Sequence, residues 1–352
     1  MSKEEEIKGC LLGTAVGDAV GLPLEGVSRN RQKKLFPDLE FYNFFFQKGM
    51  FSDDTEHICM TAEALLKSKG DEILFQKILA WKLRFWLLSL PAGIGFATLR
   101  SIIKLWLGFP YNKSGVYSAG NGPAMRSPII GVCYGDNLTK LKQLVKISTK
   151  LTHSDPKAEY GALAIAYAAY LSSTQNIVKP EEYSIKLKTI LDDNATEFLK
   201  LIDKTINSIE SNHTIEEFAQ ELGLENGITG YMYHTVPMVI FCWLKNQTDY
   251  KNAIIDIVRC GGDTDSTAAI LGAIIGANVK EKSIPDKWIN NLAEWPRTVN
   301  WIRSLSYQLN NMISNKKIDK YYSIFFLNQL IRNMFFLLII LGHIIRRLFP
   351  PY

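Results

Sequence analysis

The sequence predicts an all-α protein, and two observations support this fold class. Apolar residues recur with the 3.6-residue period of an amphipathic helix through most of the chain, and short segments rich in Gly, Pro, Asn or Asp separate these stretches. Alternating patterns typical of strands are nearly absent, with residues 41–46 and 129–134 as the only β-like runs. The periodicity predicts helices over residues 7–20, 57–67, 73–88, 138–151, 159–171, 183–207, 215–222, 231–244, 252–260, 267–277 and 288–312.

The first predicted helix carries a glycine at every fourth position. An interior glycine costs about 0.5–1 kcal/mol relative to alanine, so such a row needs a compensating reason. A bare ridge of backbone permits close approach of a second helix, either in a membrane dimer or in a soluble core. The short length and Asp18 favour the core. The small residues concerned are Gly9, Gly13, Gly17 and Gly21, with a similar row, Ala268, Gly272 and Gly276, in the helix predicted over residues 267–277.

The composition excludes several classes of protein. Of the 352 residues, 47% are apolar, which is ample for a large core and excludes global disorder. The net charge is only +5 and the basic residues are scattered, so no dedicated nucleic-acid surface is evident. The five cysteines form no Cys-x-x-Cys pair, and the acidic start of the chain lacks the features of a secretory signal. We therefore expect a cytoplasmic protein with reduced thiols.

No low-complexity linker or fixed repeat divides the chain. Residues 1–315 are predicted to form one helical domain, and residues 316–352 an apolar helical extension with a basic end. Residues 334–341 are wholly apolar, but this run is only about half of the ~20 residues that a membrane span needs. Polar residues precede it and two arginines, Arg346 and Arg347, follow it. A buried closing helix is therefore predicted in preference to a membrane contact.

Two acidic clusters open predicted helices. Helix capping is the alternative explanation for either cluster alone, because Asp and Ser are preferred N-caps and acids suit a helix N-terminus. Capping does not explain the doubled carboxylates, since neighbouring anions repel one another. Carboxylates with hydroxyls are hard oxygen ligands that suit Mg²⁺ or Mn²⁺. Ala268 and Ile274 exclude a calcium-binding EF-hand loop, and the histidines lack zinc-ligand spacing. The cluster residues are Ser52, Asp53, Asp54 and Glu56 in the first, and Asp263, Asp265 and Ser266 in the second.

Two further segments are candidates for substrate binding. In the segment 120–126, two glycines around Asn121 leave backbone N–H groups accessible to an anion, and Arg126 would add a guanidinium fork to a phosphate. A hairpin turn is the alternative there, although the flanking residues do not alternate. His153 follows Thr152 in a predicted loop, where binding groups concentrate, and a structural histidine is the alternative.

In this order, these segments resemble the ADP-ribosylglycohydrolase superfamily over residues 7–305. The resemblance rests on residues 9–21, 52–55, 120–126, 152–153 and 261–266. It implies an all-α orthogonal helical bundle with two Mg²⁺ or Mn²⁺ ions between the acidic clusters. The implied metal ligands are Ser52, Asp53, Asp54, Asp263, Asp265 and Ser266. The implied substrate contacts are Gly120, Asn121, Gly122, Met125, Arg126, His153 and Tyr231, or its neighbour Tyr233.

The resemblance also implies hydrolysis of the glycosidic bond between ADP-ribose and an acceptor on a protein or small molecule. The metals would grip the ribose hydroxyls and polarise a water molecule. Glu25 would act as general acid or base, together with a carboxylate such as Asp53 or Asp265. ADP-ribosyl-arginine is the first-choice substrate, although Gly93 and Ile94 stand where some arginine-specific members carry an acid. The alternative is a catalytically silent relative that binds ADP-ribose or a partner, with a membrane contact through its C-terminal helix.

Overall fold

The computed structural model describes residues 2–317 and 323–350, and it confirms the predicted all-α class. The described residues form eighteen α-helices, three 3-10 helices and isolated bridges, without a sheet. The α-helices are α1 (Glu4–Gly21), α2 (Arg29–Leu35), α3 (Asp53–Ser68), α4 (Glu72–Leu88), α5 (Phe96–Trp106), α6 (Gly122–Arg126), α7 (Pro128–Tyr134), α8 (Leu138–Lys150), α9 (Pro156–Thr174), α10 (Pro180–Ile190), α11 (Thr196–Glu210), α12 (Ile215–Glu221), α13 (Met232–Lys245), α14 (Tyr250–Arg259), α15 (Thr264–Val279), α16 (Asp286–Asn290), α17 (Val299–Ile313) and α18 (Phe326–Arg347). The 3-10 helices are Leu22–Leu24, Asp193–Ala195 and Glu281–Ser283.

The two longest helices predicted from the sequence are each divided in the structure. Residues 183–207 belong to α10 and α11, and the side chain of Asp192 caps a separate 3-10 turn between them. Residues 288–312 belong to α16 and α17, and the Thr298 side chain accepts from the Trp301 N–H to start α17. The apolar period continues across both breaks, and for this reason the sequence alone merges the helices.

The prediction of β-like structure is wrong at residues 129–134, which form α7. Ile129, Ile130 and Val132 are fully buried, because α7 is enclosed by α1, α3, α8 and α9. Close packing replaces strand pairing here: a Cβ on Gly131 would lie 1.8 Å from the Ala166 carbonyl oxygen of α9. Tertiary contacts therefore override the strand preference of β-branched residues. Residues 41–46 also form no strand, and only an isolated bridge joins Phe45 to Lys48.

Helices α1 and α15 are in backbone contact along the glycine row. We call this contact the glycine seam. A Cβ on Gly13 would lie 2.1 Å from the Gly272 carbonyl oxygen, and one on Gly276 would lie 2.2 Å from that of Gly9. Helix α1 is buried over nearly its whole length and also contacts α3, α7, α14 and α17. The predicted close packing of this helix inside the protein core is confirmed, and α1 is the central helix of the fold. The seam comprises Gly9, Gly13, Gly17 and Gly21 of α1 and Ala268, Gly272 and Gly276 of α15.

Helix α18 lies on the outside of this core. The sequence predicts a buried closing helix, but the structure buries only one face of α18. By length and composition, two helical segments could span a membrane: Glu4–Leu24, which is 94% buried and belongs to the core, and Phe326–Arg346, which is 28% buried. Within the predicted extension, residues 318–322 and 351–352 lie outside the described residues.

The glycine seam predicts that a Gly→Ala substitution, which usually stabilises a helix, destabilises the protein when it is made in α1. We expect Gly13→Ala to lower the free energy of unfolding by about 1–3 kcal/mol or more, because the added methyl group overlaps the α15 backbone. Urea-induced unfolding measures this change. The matched control is Gly342→Ala in α18, where nothing lies within 4 Å of the added Cβ. That variant should gain about 0.5–1 kcal/mol from helix propensity. Equal stabilisation of both variants would contradict the packing.

Candidate active site and metal centre

The two acidic clusters meet at the starts of helices α3 and α15. The Ser266 Oγ donates to the Asp54 Oδ2 at 3.0 Å, across 212 positions of sequence. The Ser52 Oγ donates to the same oxygen at 3.1 Å. Asp265 is also part of this group, since its carboxylate and those of Asp54 and Asp18 have oxygens within 4.8 Å of one another. The structure thus brings the two clusters together, as the sequence requires of a shared site.

Two glycines aim the second cluster into the site. Gly261 and Gly262 have φ values of +75° and +85°, which L side chains rarely adopt. A Cβ on Gly262 would lie 1.9 Å from the Ile228 carbonyl oxygen, which in turn accepts from the Asp263 N–H at 2.7 Å. The Asn121 amide then donates to the Asp263 Oδ2 at 2.7 Å. Asn121 belongs to the predicted segment 120–126, which we call the glycine loop, and this loop therefore orients an acid of the α15 cluster.

Asp18 is a site residue that the sequence analysis did not assign. Although it lies on α1, its carboxylate accepts from the backbone N–H groups of Ser52 and Thr55 at 2.8 and 3.0 Å, and from the Thr55 hydroxyl at 2.6 Å. These are N–H groups at the start of α3 that a local cap would otherwise satisfy. The signal in the sequence is a single acid in the middle of an apolar, glycine-rich helix. Asp18 positions the first acidic cluster from a different helix.

Glu25 and Asp53 lie beside this group. Glu25 is exposed, and its carboxylate has an oxygen within 4.8 Å of oxygens of Asp263 and Asp265. Its backbone is fixed by the next residue, because the Gly26 N–H donates to the Gly262 carbonyl at 2.9 Å. Asp53 is half-buried and lines the same cleft, but it is in neither group of close oxygens.

The carboxylates lack the positive partners that buried acids need. Burial raises the pKa of Asp18 to about 6 against its hydrogen bonds, and burial with mutual repulsion raises the pKa of Asp53, Asp54 and Asp265. None of these four acids forms an ion pair with Lys or Arg in the described parts of the chain. The buried Asp54 Oδ1 has no hydrogen-bond partner. An orphaned carboxylate oxygen among other hard oxygen donors fits a divalent cation.

A cleft of about 600 Å³ opens over the acids. The His153 ring forms part of its wall and packs on the glycine loop: a Cβ on Gly120 would lie 3.0 Å from the His153 Nε2, and one on Gly122 would lie 3.2 Å from the Cε1. Burial and Arg126 lower the pKa of His153 to about 3, so the ring is neutral at physiological pH. The predicted residues that line the cleft are Glu25, Asp53, Gly120, Asn121, Gly122, Met125, His153, Asp263, Asp265 and Ser266.

The structure does not bring Arg126 into the cleft. Its side chain is fully buried and its guanidinium donates to the Ser148 Oγ at 2.9 Å, the Thr152 Oγ1 at 2.6 Å and the Gly122 carbonyl at 3.3 Å. The phosphate contact predicted for Arg126 is not available in this arrangement. Instead, Arg126 joins the glycine loop to the segment that carries His153, because the Thr152 hydroxyl also contacts the His153 Nδ1 at 2.9 Å.

Tyr231 and Tyr233 flank the glycine loop without lining the cleft. Tyr231 and Gly120 form a backbone bridge, and the Tyr231 hydroxyl accepts from the Lys157 ammonium at 3.2 Å. The neighbouring segment does line the cleft, with Ile228, Thr229 and Gly230. The sequence analysis missed this segment, since it contains no charged group.

Comparisons with known proteins agree on one family. A family model described as ADP-ribosylglycohydrolase matches residues 1–318. An uncharacterized protein of Archaeoglobus fulgidus is 31% identical over 300 residues, which cover 83% of this chain and 92% of that protein. Human ADP-ribosylhydrolase ARH3 is 28% identical over 80% of this chain and 87% of its own. The ADP-ribosyl-(dinitrogen reductase) glycohydrolase of Rhodospirillum rubrum is 23% identical over 83% and 91%.

A solved structure supports the same fold. The chain is similar to an ADP-ribosylglycohydrolase-related protein complex with a TM-score of 0.63, at 22% identity over 89% of this chain and 99% of that one. At this identity the likeness extends to the fold alone. Helix α18 begins beyond the last residue that the family model matches.

The raised pKa values predict a pH-dependent response to metal. An acid whose pKa is higher in the folded state makes the metal-free protein lose stability as the pH rises from about 4 through the folded pKa, which is about 6 for Asp18. A divalent cation should offset the repulsion only where the acids are ionised. We therefore expect Mg²⁺ or Mn²⁺ to raise Tm more at about pH 7.5 than at about pH 5.

The matched control is Asp265→Asn, which removes one charge from the cluster. Differential scanning calorimetry, with and without the metal at each pH, separates this effect from other titrations. The variant should lose most of the metal-induced rise in Tm at the higher pH. A wild-type rise of equal size at both pH values would contradict binding by these carboxylates.

Proposed function

The chain belongs to the ADP-ribosylglycohydrolase family, and on that premise we propose that it removes ADP-ribose from a modified protein, with ADP-ribosyl-arginine as the first-choice substrate. Membership of the family makes it a hydrolase that acts on the glycosidic bond of ADP-ribose conjugates. The relative from Rhodospirillum rubrum is named for an ADP-ribosylated protein, dinitrogen reductase, which supports a protein conjugate here. We also propose a cytoplasmic location, which five buried cysteines without a disulfide support.

One observation carries the proposal of an active enzyme. The carboxylates at the starts of α3 and α15 converge beneath a cleft, and one buried oxygen among them, Asp54 Oδ1, is unsatisfied. A structural network of this burial would hold its acids with donors or cations, and a silent binding protein has no need to keep them. All six proposed ligand positions retain an oxygen donor: Ser52, Asp53, Asp54, Asp263, Asp265 and Ser266.

These six residues would hold two Mg²⁺ or Mn²⁺ ions. When bound, the ions would supply the positive charge that orients the ribose hydroxyls and lowers the pKa of a water molecule. Asp18 keeps the α3 residues in place through its hydrogen bonds to Ser52 and Thr55. Asn121 keeps Asp263 in place in the same way.

The proposed proton transfers use Glu25 and a second carboxylate. Glu25 is exposed at the cleft, where it would give a proton to the acceptor atom as the bond to the anomeric carbon breaks. The sugar then carries oxocarbenium character, which the surrounding anions stabilise. Asp53 or Asp265 would take a proton from the water that attacks the anomeric carbon.

The glycine loop and His153 would bind the rest of ADP-ribose. Gly120 and Gly122 line the cleft, and the Gly122 N–H at the start of α6 would meet a diphosphate there, whereas the Asn121 N–H already donates to the Gly230 carbonyl at 2.9 Å. Because His153 is neutral, it would contact the substrate as a flat ring and hydrogen-bonding group, without adding a charge. The diphosphate is thus bound by backbone groups, since Arg126 is occupied within the protein.

An arginine acceptor would need an acid at the cleft to pair with its guanidinium group. Gly93 and Ile94 offer no carboxylate at the edge of the cleft. Asp53 lies next to this edge, because a Cβ on Gly93 would lie 3.3 Å from the Asp53 Oδ1. Glu25 and Asp53 are therefore the acids available to a cationic acceptor. A neutral acceptor such as serine would need no anionic partner, only the proton that Glu25 would donate.

A panel of substrates tests the proposed activity. We expect release of ADP-ribose from an arginine-linked peptide to exceed release from a serine-linked peptide, a modified DNA base or O-acetyl-ADP-ribose, with either Mg²⁺ or Mn²⁺. Chromatography of free ADP-ribose measures each rate. Asp265→Ala should reduce release to background, whereas Asp136→Ala, an exposed acid that contacts Lys3, should retain it.

The outcomes of the panel separate the alternatives. Fastest release from another conjugate would contradict the arginine assignment and leave the hydrolase intact. A folded, metal-loaded protein that binds ADP-ribose and releases it from no conjugate would establish the silent relative in place of the enzyme.

A second test concerns the proton donor. We expect Glu25→Gln to lower kcat by about 10²–10⁴-fold, because general acid–base catalysis contributes a factor of this size. The affinity for free ADP-ribose, measured by isothermal titration calorimetry, should change little, since the amide keeps the shape of the side chain. Glu210→Gln, at the exposed end of α11, is the control. Unchanged kcat with weakened binding would assign Glu25 to substrate binding alone.

A further inference from the structure

Helix α18 buries polar residues and exposes apolar ones, the opposite of a surface helix in a soluble protein. Its polar residues face the protein body: Gln329, Arg332 and Asn333 are buried. Its opposite face consists of large apolar side chains exposed to solvent, among them Leu338 with 68% of its surface accessible. We call these residues the outer face of α18: Leu327, Ile331, Met334, Phe335, Leu337, Leu338, Leu341, Ile344 and Ile345. Soluble proteins place such residues inside, so this face is built for an apolar environment.

The polar residues of α18 fix it along the protein body. The Arg332 guanidinium pairs with the Glu294 carboxylate and donates to the Phe51 carbonyl at 2.6 Å. The Asn333 amide donates to the Ser89 carbonyl at 2.9 Å. Crossing a bilayer would break these buried contacts and carry Arg332 into hydrocarbon. The helix is therefore arranged to lie flat against a surface, with its outer face directed away from the protein.

The apolar surface continues beyond α18. The Phe335 ring packs edge-on against Phe45 with centroids 5.9 Å apart, and Phe326 does the same against Phe85 at 6.4 Å. Phe46, next to Phe45, is 88% exposed. Exposed aromatic residues beside aliphatic ones are typical of segments that enter the boundary between lipid headgroups and acyl chains.

The charge of this region selects the partner. Residues 320–352 contain no Asp or Glu, and of their basic residues Arg332 is paired with Glu294 inside the protein, which leaves Lys320, Arg346 and Arg347. Arg346 is exposed at the end of the outer face. Basic groups flanking an apolar helix are attracted to anionic lipids. A second copy would set this acid-free, basic helix against itself, with like charges in apposition. We propose that the outer face of α18 binds the surface of an anionic lipid bilayer, with the helix parallel to the membrane.

Vesicle binding by the full-length protein tests the proposal. Purified protein, free of detergent, is sedimented with phosphatidylcholine vesicles that contain or lack phosphatidylglycerol, at low and high salt. We expect binding to the anionic vesicles that weakens with salt. Leu338→Gln/Leu341→Gln should lower the partition coefficient by at least about tenfold, because each leucine loses its transfer to an apolar phase. Arg346→Glu should weaken binding to the anionic vesicles only.

The control distinguishes binding through the outer face of α18 from nonspecific binding through any exposed apolar residue. Ile177→Gln/Ile185→Gln removes two apolar residues of similar exposure, 59% and 63%, near and on α10, a helix that does not belong to the outer face. This control should bind vesicles as the wild type does, and both double variants should keep the ADP-ribose release of the wild type in solution. Absence of binding to the anionic vesicles, or an equal loss of binding in the control variant, would overturn the proposal. So would a dimer in solution that Leu338→Gln/Leu341→Gln dissociates while vesicle binding is absent.

Discussion

The glycine seam between α1 and α15 is the contact on which the rest of the structure depends. With no side chains between them, the two helices approach until the backbone of one touches the other, as at Gly13 and Gly272. At the end of the seam, Gly21 lies against Thr264, one residue after Asp263. The same helix α1 carries Asp18, which holds the start of α3. A single buried helix therefore sets the distance between two acidic clusters that are far apart in sequence.

The seam explains how mutually repelling acids persist in the interior. Burial raises the pKa of Asp18, Asp54 and Asp265, so that in their ionised forms they destabilise the fold locally. The surrounding helices oppose this repulsion through apolar burial, which is spread over α1 and the helices that pack against it. The packed helices can therefore hold the ionised acids together, and a cation among them would reduce their repulsion. In the proposed function, the site would thus be formed before a metal ion binds.

Much of the fold and the site could be predicted because the signals are local. The glycine spacing predicted the seam, and the paired acids at helix starts predicted the two clusters. The structure adds that Gly262, just before the α15 cluster, has a positive φ. Long-range roles could not be predicted in this way. Asp18 caps a helix other than its own, and Arg126 has the residue type of a phosphate ligand but is buried by contacts with α8 and Thr152. Both roles depend on which elements pack together, and no spacing in the sequence encodes that choice.

Helix α18 connects a region outside the family match to the segment just before α3. Arg332 donates to the Phe51 carbonyl while the Glu294 carboxylate accepts from the Phe51 N–H at 2.9 Å, immediately before Ser52. Glu56 of α3 is paired with Arg297, which lies outside α18. Glu294, in contrast, is paired with Arg332 of α18. A descendant that lost the last thirty or so residues would strand one negative charge in its interior. The C-terminal extension and Glu294 are thus expected to evolve together, because the loss of either one would leave the charge of its partner unpaired.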